Sequence, residues 1–545
     1  MPIIYRSTTD KMSAPTYMGV SGQSLAVLQI AAIVAPSFVL FGYNQAGIGG
    51  LLTEEDWVKT FPEIDTVNAE GAEKSRKSTL QGFVVATFVI GALIGSLSCS
   101  YTGDKFGRRN IIFFASICTL IGEILEASSF GLAQFIVGRV IIGLGIGQLS
   151  SIVPVWQSET SAARNRGRQV VLTGLFICLG YVLESWINLG FFEFHNGPVT
   201  WRPPIAIAIA FSLILMISIY FFPESPRWLV MKNRSEEARH VVAALRGLPI
   251  DSTEVLAEVA GIEHSLEETS DKAARLSDML KMGEDKLLYR FVLCLLLQFY
   301  QQMSGSNLVS VYANVLFQKN LGMDAETAKA LTGGALTWKF LASFLAFFTI
   351  DRFGRRAVFI ISGAGMSCCM IALAISTSFG NENKPAMITA GCFIYLYNTF
   401  VPIGFLGANF LYCTEVAPLR LRMAMSSIST ANHWLWYVFR INSALAIINS
   451  LYRNFIVVMV TPVALNTIGW QYYIVYAVIA ACVPISVIFF FPETMGRSLE
   501  EIELVFRESP SVFSTVKFAK TRPTNTPQQF LAGKEKASHL EEGEE

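Results

Sequence analysis

The chain has 545 residues, 52% hydrophobic and 15% charged, with a formal net charge of zero. A soluble protein carries about 25% charged residues, so this composition argues against a soluble enzyme and for a membrane protein. Basic residues sit at the ends of apolar runs and form no stripe with interleaved aromatics, which argues against a nucleic-acid partner.

Residues 1–24 are polar and are expected to form a cytoplasmic tail; no cleavable signal peptide is evident. Apolar runs of spanning length then recur along the chain. Helix 1 is expected over 25–52, interrupted by glycines from Phe41-Gly-Tyr-Asn44 onward, and 53–78 form a mostly acidic loop. Helices 2 to 6 are expected at about 79–103, 110–130, 132–155, 168–192 and 202–222. Gly143, Gly145 and Gly147 in helix 4 imitate a dinucleotide loop, but they follow no strand and read as close helix packing. Residues 223–286 are rich in Glu, Lys and Arg, with amphipathic patterns through 236–248 and 255–266, and read as a soluble linker with short helices. Helices 7 to 10 are expected at about 287–317, 326–350, 357–378 and 385–413, helix 11 from near Met423, and helix 12 over 470–491. The charged segment 492–545 is expected to be a second cytoplasmic tail. The nine cysteines are mostly scattered through apolar runs, and Cys368-Cys369 lack metal-ligand spacing, so no metal or cofactor is expected.

Several phrases occur twice. Asp104-Lys-Phe-Gly-Arg108-Arg109 returns as Asp351-Arg-Phe-Gly-Arg355-Arg356. Glu159 and Arg166 return as Glu415 and Arg422 at the same spacing, and Pro223-Glu224-Ser-Pro-Arg227 is echoed by Pro492-Glu493-Thr-Met-Gly-Arg497. The chain is therefore read as a duplication: an all-α membrane protein of twelve helices in two pseudo-symmetric bundles, 25–222 and 287–491. The basic loops all join an even helix to an odd one, so they share one side. The positive-inside rule makes that side, with both termini and the linker, cytoplasmic. Two such halves suit a transporter that rocks about a site at their interface. A sensor on the same scaffold is the rival. An enzyme is not expected, because no His-Glu-x-x-His, Gly-x-Ser-x-Gly or helical carboxylate motif is found. The recurring acids and bases are read as a gating ion-pair network that changes partners between two states.

Helix 7 carries Gln298, Gln301, Gln302 and Asn307 in an apolar run. Amides at membrane depth need a partner or a wet cavity, and an amide matches a sugar hydroxyl as both donor and acceptor. Lys339 in helix 8 is a further intramembrane charge, facing the cavity or snorkelling.

The motifs GDKFGRR, GRVIIGLGIG, PVWQSETSAARNRG, PESPRWL, QQMSGSN, DRFGRR, TEVAPLRLR and PETMGRSLEEIE together resemble the sugar porter family of the major facilitator superfamily, especially its fungal members, over about 25–510. The resemblance implies alternating-access transport of a small carbohydrate, most simply a monosaccharide, by a monomer in the plasma membrane. It places Gln301, Gln302 and Asn307 at sugar-contact positions, sets His433 and Trp434 on the Asn-Trp pair of helix 11, where an aromatic face would stack on the sugar ring, and adds Asn44 to the binding set. Departures leave the sugar open, with a polyol, pentose or disaccharide as alternatives. Gly174 stands where Gln is common, Leu406-Gly-Ala-Asn409-Phe410 where Gly-Pro-x-Pro-Trp is usual, and His433 replaces Asn. Asn44 also replaces the helix 1 Asp of proton-coupled relatives, which favours uniport over proton symport. Glu123, Glu126 and Glu184 are other carboxylates in or near membrane helices. Finally, Tyr437–Arg453 interrupts the family's helix 11 pattern and brings Arg440 and Arg453 near lipid depth. We read it as extra sequence, such as a retained in-frame intron.

Overall fold

The computed structural model describes residues 14–47, 51, 55–65, 68–162, 166–192, 197–268, 276–311, 317, 325–380, 383–446 and 470–521. Within them the chain is helical apart from one β-bridge between Tyr17 and Val20. The first half supplies helices 1 to 6 as Gly22–Ala46, Leu80–Phe106, Arg108–Ala127, Leu132–Thr160, Gly167–Phe191 and Arg202–Phe221, all long and apolar enough to span. In the second half Glu326–Ser378 holds helices 8 and 9, Lys384–Val416 is helix 10 and Gln471–Phe490 is helix 12. Helix 7 (Leu287–Met303, then Ser306–Val311) and helix 11 (Arg422–Ala446) complete the set.

The duplicated hairpins turn on a single residue each. Gly107 has φ 89° and Gly354 φ 83°, a region that L side chains avoid, so the glycine of Asp-x-Phe-Gly is what reverses the chain between two long helices. Helix 2 begins at Gly71, ahead of its apolar run, because Ala72–Lys77 is made of good helix formers and Glu73 pairs with Lys77 at 3.0 Å. Helices 7 and 10, expected as single runs, are both broken. Gly305 (φ 98°) interrupts helix 7, and helix 10 stops at Phe405 and resumes at Ala408, across Leu406-Gly407.

The glycines of helix 4 act in packing. A Cβ on Gly143 would lie 2.0 Å from the Phe88 carbonyl oxygen, and one on Gly147 2.1 Å from that of Ala92, so helices 2 and 4 touch backbone to backbone. The amphipathic linker segments fold as Ser235–Arg246 and Thr253–Glu268, clasped by Arg246 and Glu258 at 2.6 Å. The tail helix Leu499–Glu508 opens with a Ser498/Glu501 capping box. Lys286 donates to the carbonyls of Phe506 and Ser509 at 2.6 Å, and Ser265 to Glu503 at 3.2 Å, so linker and tail form a collar beneath the second half.

Candidate functional site

At the hairpin end the two halves repeat one arrangement. Arg108 makes a two-pronged contact with Glu159 at 3.0 and 3.2 Å and reaches Asp104 at 3.2 Å. Arg355 does the same with Glu415 at 2.8 and 3.2 Å and with Asp351 at 3.0 Å. Each Arg–Glu pair is fully buried. The second glutamate of each half plays a different part from the expected ion pairing. Glu224 accepts the backbone N–H groups of Arg108 and Arg109, and Glu493 those of Arg355 and Arg356, at 2.9–3.1 Å. They cap the N-termini of helices 3 and 9, where the helix dipole favours a carboxylate. The guanidinium groups of Arg109 and Arg356 instead donate to the carbonyls of Tyr220 and Ile488 at 2.9 Å. Arg227 donates to the Glu159 carbonyl at 3.0 Å, whereas its counterpart Arg497 turns to the Ala519 carbonyl in the tail at 2.7 Å. The symmetry therefore ends at the tail.

Ion pairs at this end cross between halves. Arg422 lies 3.8 Å from Glu159, and Arg168 meets Asp351 through its backbone N–H at 2.9 Å and its Nε at 3.7 Å. The Arg166 side chain lies outside the described residues. Arg168, two residues on, makes the cross-half contact and was missed because sequence repetition pointed to Arg166 instead.

Midway along the second half, helices 7, 10 and 11 bring five polar side chains together. Gln301 Oε1 accepts from Asn409 Nδ2 at 2.6 Å and from His433 Nδ1 at 3.0 Å, and Gln302 Nε2 lies 2.8 Å from His433 Nε2. The same Gln302 nitrogen lies 3.0 Å from His433 Nδ1, so it faces both ring nitrogens. Asn409 also donates to Gln298 Oε1 at 3.1 Å. Asn409 Oδ1 and Gln298 Nε2 have no partner among the described residues. One acceptor and one donor thus remain open in a buried cluster, beside the breaks in helices 7 and 10. The Asn307 side chain lies outside the described residues.

Trp434 is fully buried, with Phe41 of helix 1 at 5.2 Å and Phe88 of helix 2 edge-on at 5.9 Å. Rings of the first half pack against this side chain, which the resemblance expects to stack on a sugar. Asn44 is separate from the amide cluster. Its Nδ2 donates to the Leu40 carbonyl at 3.0 Å and approaches Glu123 at 3.4 Å inside the first bundle. Lys339 faces inward. It donates to Ser310 of helix 7 at 2.7 Å and lies 5.2 Å from the Tyr181 ring centroid in helix 5, so it joins the halves and does not snorkel. Gly174 is also a cross-half contact: a Cβ there would fall 2.7 Å from the Leu406 carbonyl carbon. A glutamine at this position, as the resemblance would place there, has no room in this arrangement.

Residues 28–506 match the family described as Sugar (and other) transporter. The chain belongs to the sugar transporter family. It is similar to the sugar transporter STL1 of Saccharomyces cerevisiae, 32% identical over 91% of this chain and 84% of that protein. It is also similar to the high-affinity fructose transporter ght6 of Schizosaccharomyces pombe, 29% identical over 91% and 90%. Among solved structures, the proton:xylose symporter XylE bound to 6-bromo-6-deoxy-D-glucose superposes with a TM-score of 0.77 at 24% identity, covering 89% of this chain and 99% of that one. The fold is accordingly that of the major facilitator superfamily. As a sugar transporter spanning the membrane many times, the chain carries its substrate across and is not an enzyme.

Proposed function

We propose that the chain carries a small carbohydrate, a monosaccharide first, across the plasma membrane by alternating access as a monomer. The observation that carries this reading is the cluster of Gln298, Gln301, Gln302, Asn409 and His433 at the breaks of helices 7 and 10, with an open donor and an open acceptor. Sugar hydroxyls would replace the mutual amide contacts one for one, so the buried groups stay paired as substrate enters. Gln301, Gln302, Asn307 and His433 are the proposed contacts. The hairpin end is the cytoplasmic gate, with both termini on its side. Asp104, Arg108, Glu159, Arg227, Asp351, Arg355, Glu415 and Arg422 form its ion-pair framework, with Arg166 assigned to it by sequence repetition. Glu224 and Glu493 hold its backbone, Arg109 and Arg356 anchor it to neighbouring helix ends, and Arg497 ties it to the tail.

Phe41 and Phe410 pack on His433 and Trp434, with ring centroids between 5.1 and 6.4 Å. This close aromatic wall favours a compact substrate and brings a polyol into the test. Transporter-deficient yeast expressing the chain should take up at least one of labelled glucose, fructose, xylose, galactose, lactose and glycerol. Absence of uptake of all six, with the chain at the cell surface, contradicts transport and leaves the sensor reading.

A further inference from the structure

Asn44 removes a carboxylate from helix 1, but three others surround the place it would occupy. Glu123 and Glu126 lie one turn apart on helix 3, Glu184 is on helix 5, and all three are buried. Glu123 accepts from Asn44 at 3.4 Å and from Ser212 of helix 6 at 2.8 Å. Glu126 faces Arg139 of helix 4 at 3.6 Å, and its Oε2 has no hydrogen-bond partner among the described residues. Arg139 also donates to the Asn44 carbonyl at 3.5 Å. Asn44, Gly47, Glu126, Arg139, Glu184 and Asn188 line a cavity of about 20 Å³, room for a water.

Among the described residues, neighbouring polar groups have partners of their own. Tyr43 of helix 1 donates to the Pro204 carbonyl at 2.5 Å. Glu184 accepts from Asn188 one turn away on its own helix. Arg202 of helix 6 is turned to the carbonyls of Ala127 and Ser129 at 2.8–2.9 Å. The described site therefore holds three carboxyl groups against one guanidinium. Two of these charges would be uncompensated at membrane depth, at a cost of several kcal/mol, unless protons bind.

We propose that Glu126, paired with Arg139 and backed by Glu123 and Glu184, is the proton-binding group of a proton–carbohydrate symport cycle, taking over the task that a helix 1 carboxylate would perform. The inference rests on the carbohydrate reading above. A proton enters from the end opposite the hairpins and binds Glu126 Oε2, which releases the carboxylate from Arg139. After the halves rock, Glu126 gives the proton to the cytoplasmic side and pairs with Arg139 again. The link to substrate is physical. Arg139 lies 4.7 Å from the Phe88 ring centroid, Phe88 abuts Trp434, and Phe41, one turn before Asn44, packs on Trp434 beside His433. A change in the Glu126–Arg139 pair thus bears on the aromatic wall of the amide cluster.

The test uses the full chain in phosphatidylcholine–phosphatidylethanolamine vesicles with labelled D-glucose, D-xylose and glycerol. Counterflow, which needs no proton gradient, first identifies a probe that is carried. Under an acid-outside gradient that probe should accumulate above equilibrium, and a protonophore should abolish the excess. Glu126→Gln should keep counterflow yet lose accumulation, its inside-to-outside ratio falling to one. Glu126→Asp should keep accumulation and shift its pH profile. A probe that exchanges in counterflow but never accumulates in the wild type overturns the proposal. So does accumulation by Glu126→Gln equal to wild type, or an unmoved profile in Glu126→Asp. Absence of counterflow with every probe removes the carbohydrate reading and this inference with it.

Discussion

At the scale of single residues, the second half holds a polar cluster whose members bond one another and leave one donor and one acceptor open. Gln302 reaches His433 at 2.8 Å, and Gln301 holds both His433 and Asn409. Truncating one member leaves its partners unpaired in the presence of substrate, at a cost of about 1–3 kcal/mol. Gln302→Ala and Asn307→Ala should therefore raise the KM for uptake about 5- to 150-fold, at unchanged surface expression. Normal uptake in both variants would make the helix 7 amides structural. The repeated charged phrases were legible in the sequence because duplication marks them. The division of labour within them was not. Arg108 and Arg109 are adjacent and chemically identical, yet only the first points into the bundle and meets a carboxylate, while the second turns to the Tyr220 carbonyl. Adjacent positions on a helix point about 100° apart, and the sequence does not say which of the two faces the partner. Arg168 was hidden for a related reason, since its partner Asp351 lies in the other half.

At the scale of elements, hydropathy located the spanning runs and amphipathic spacing located the linker helices, because both signals are averaged over many residues. Breaks are set by one or two residues, which is why the interruptions of helices 7 and 10 were missed. Helix 11 is the informative case. Its pattern is interrupted by Tyr437–Arg453, yet the helix runs from Arg422 through to Ala446. Its 25 residues, at 1.5 Å each, reach about 37 Å and exceed the roughly 30 Å hydrocarbon core. The remainder of the interruption, from 447 onward, lies outside the described residues. Joining Trp436 directly to Asn454 would still leave an apolar run of spanning length. A variant lacking Tyr437–Arg453 should thus reach the membrane and transport at least as well as the full chain. Loss of folding or uptake on deletion would show that the segment is an integral part of helix 11, and its presence throughout the mature message would rule out a retained intron.

At the scale of the whole molecule, the halves touch at both ends, and the balance of those contacts sets which side opens. At the hairpin end Asp351 receives Arg168, Glu159 faces Arg422, and a Cβ on Gly103 would lie 2.9 Å from Met423 Cε across the interface. Toward the opposite end Trp186 Nε1 donates to Thr337 Oγ1 at 3.0 Å, and Lys339 bridges Ser310 and Tyr181. Arg168 is 55% exposed, so its ion pair is screened and contributes at most about 1 kcal/mol, with a similar amount from the backbone N–H bond. Neutralising Asp351 weakens both terms, shifting the equilibrium between the two states by up to roughly tenfold, and also loses the Asp351–Arg355 pair, while Arg355 keeps its buried pair with Glu415. Asp351→Asn should therefore favour opening at the hairpin end, and Thr337→Val should favour opening at the other. A single cysteine at Met423, buried in the hairpin-end interface and placed in a chain with the nine native cysteines replaced, reports on this with a membrane-permeant maleimide. Labelling should be faster than the parent in Asp351→Asn and slower in Thr337→Val, with opposite signs because the two contacts close opposite ends. Rates that move together, or not at all, would mean that these contacts anchor helix ends without gating, and the two-state reading of the charged network would fail.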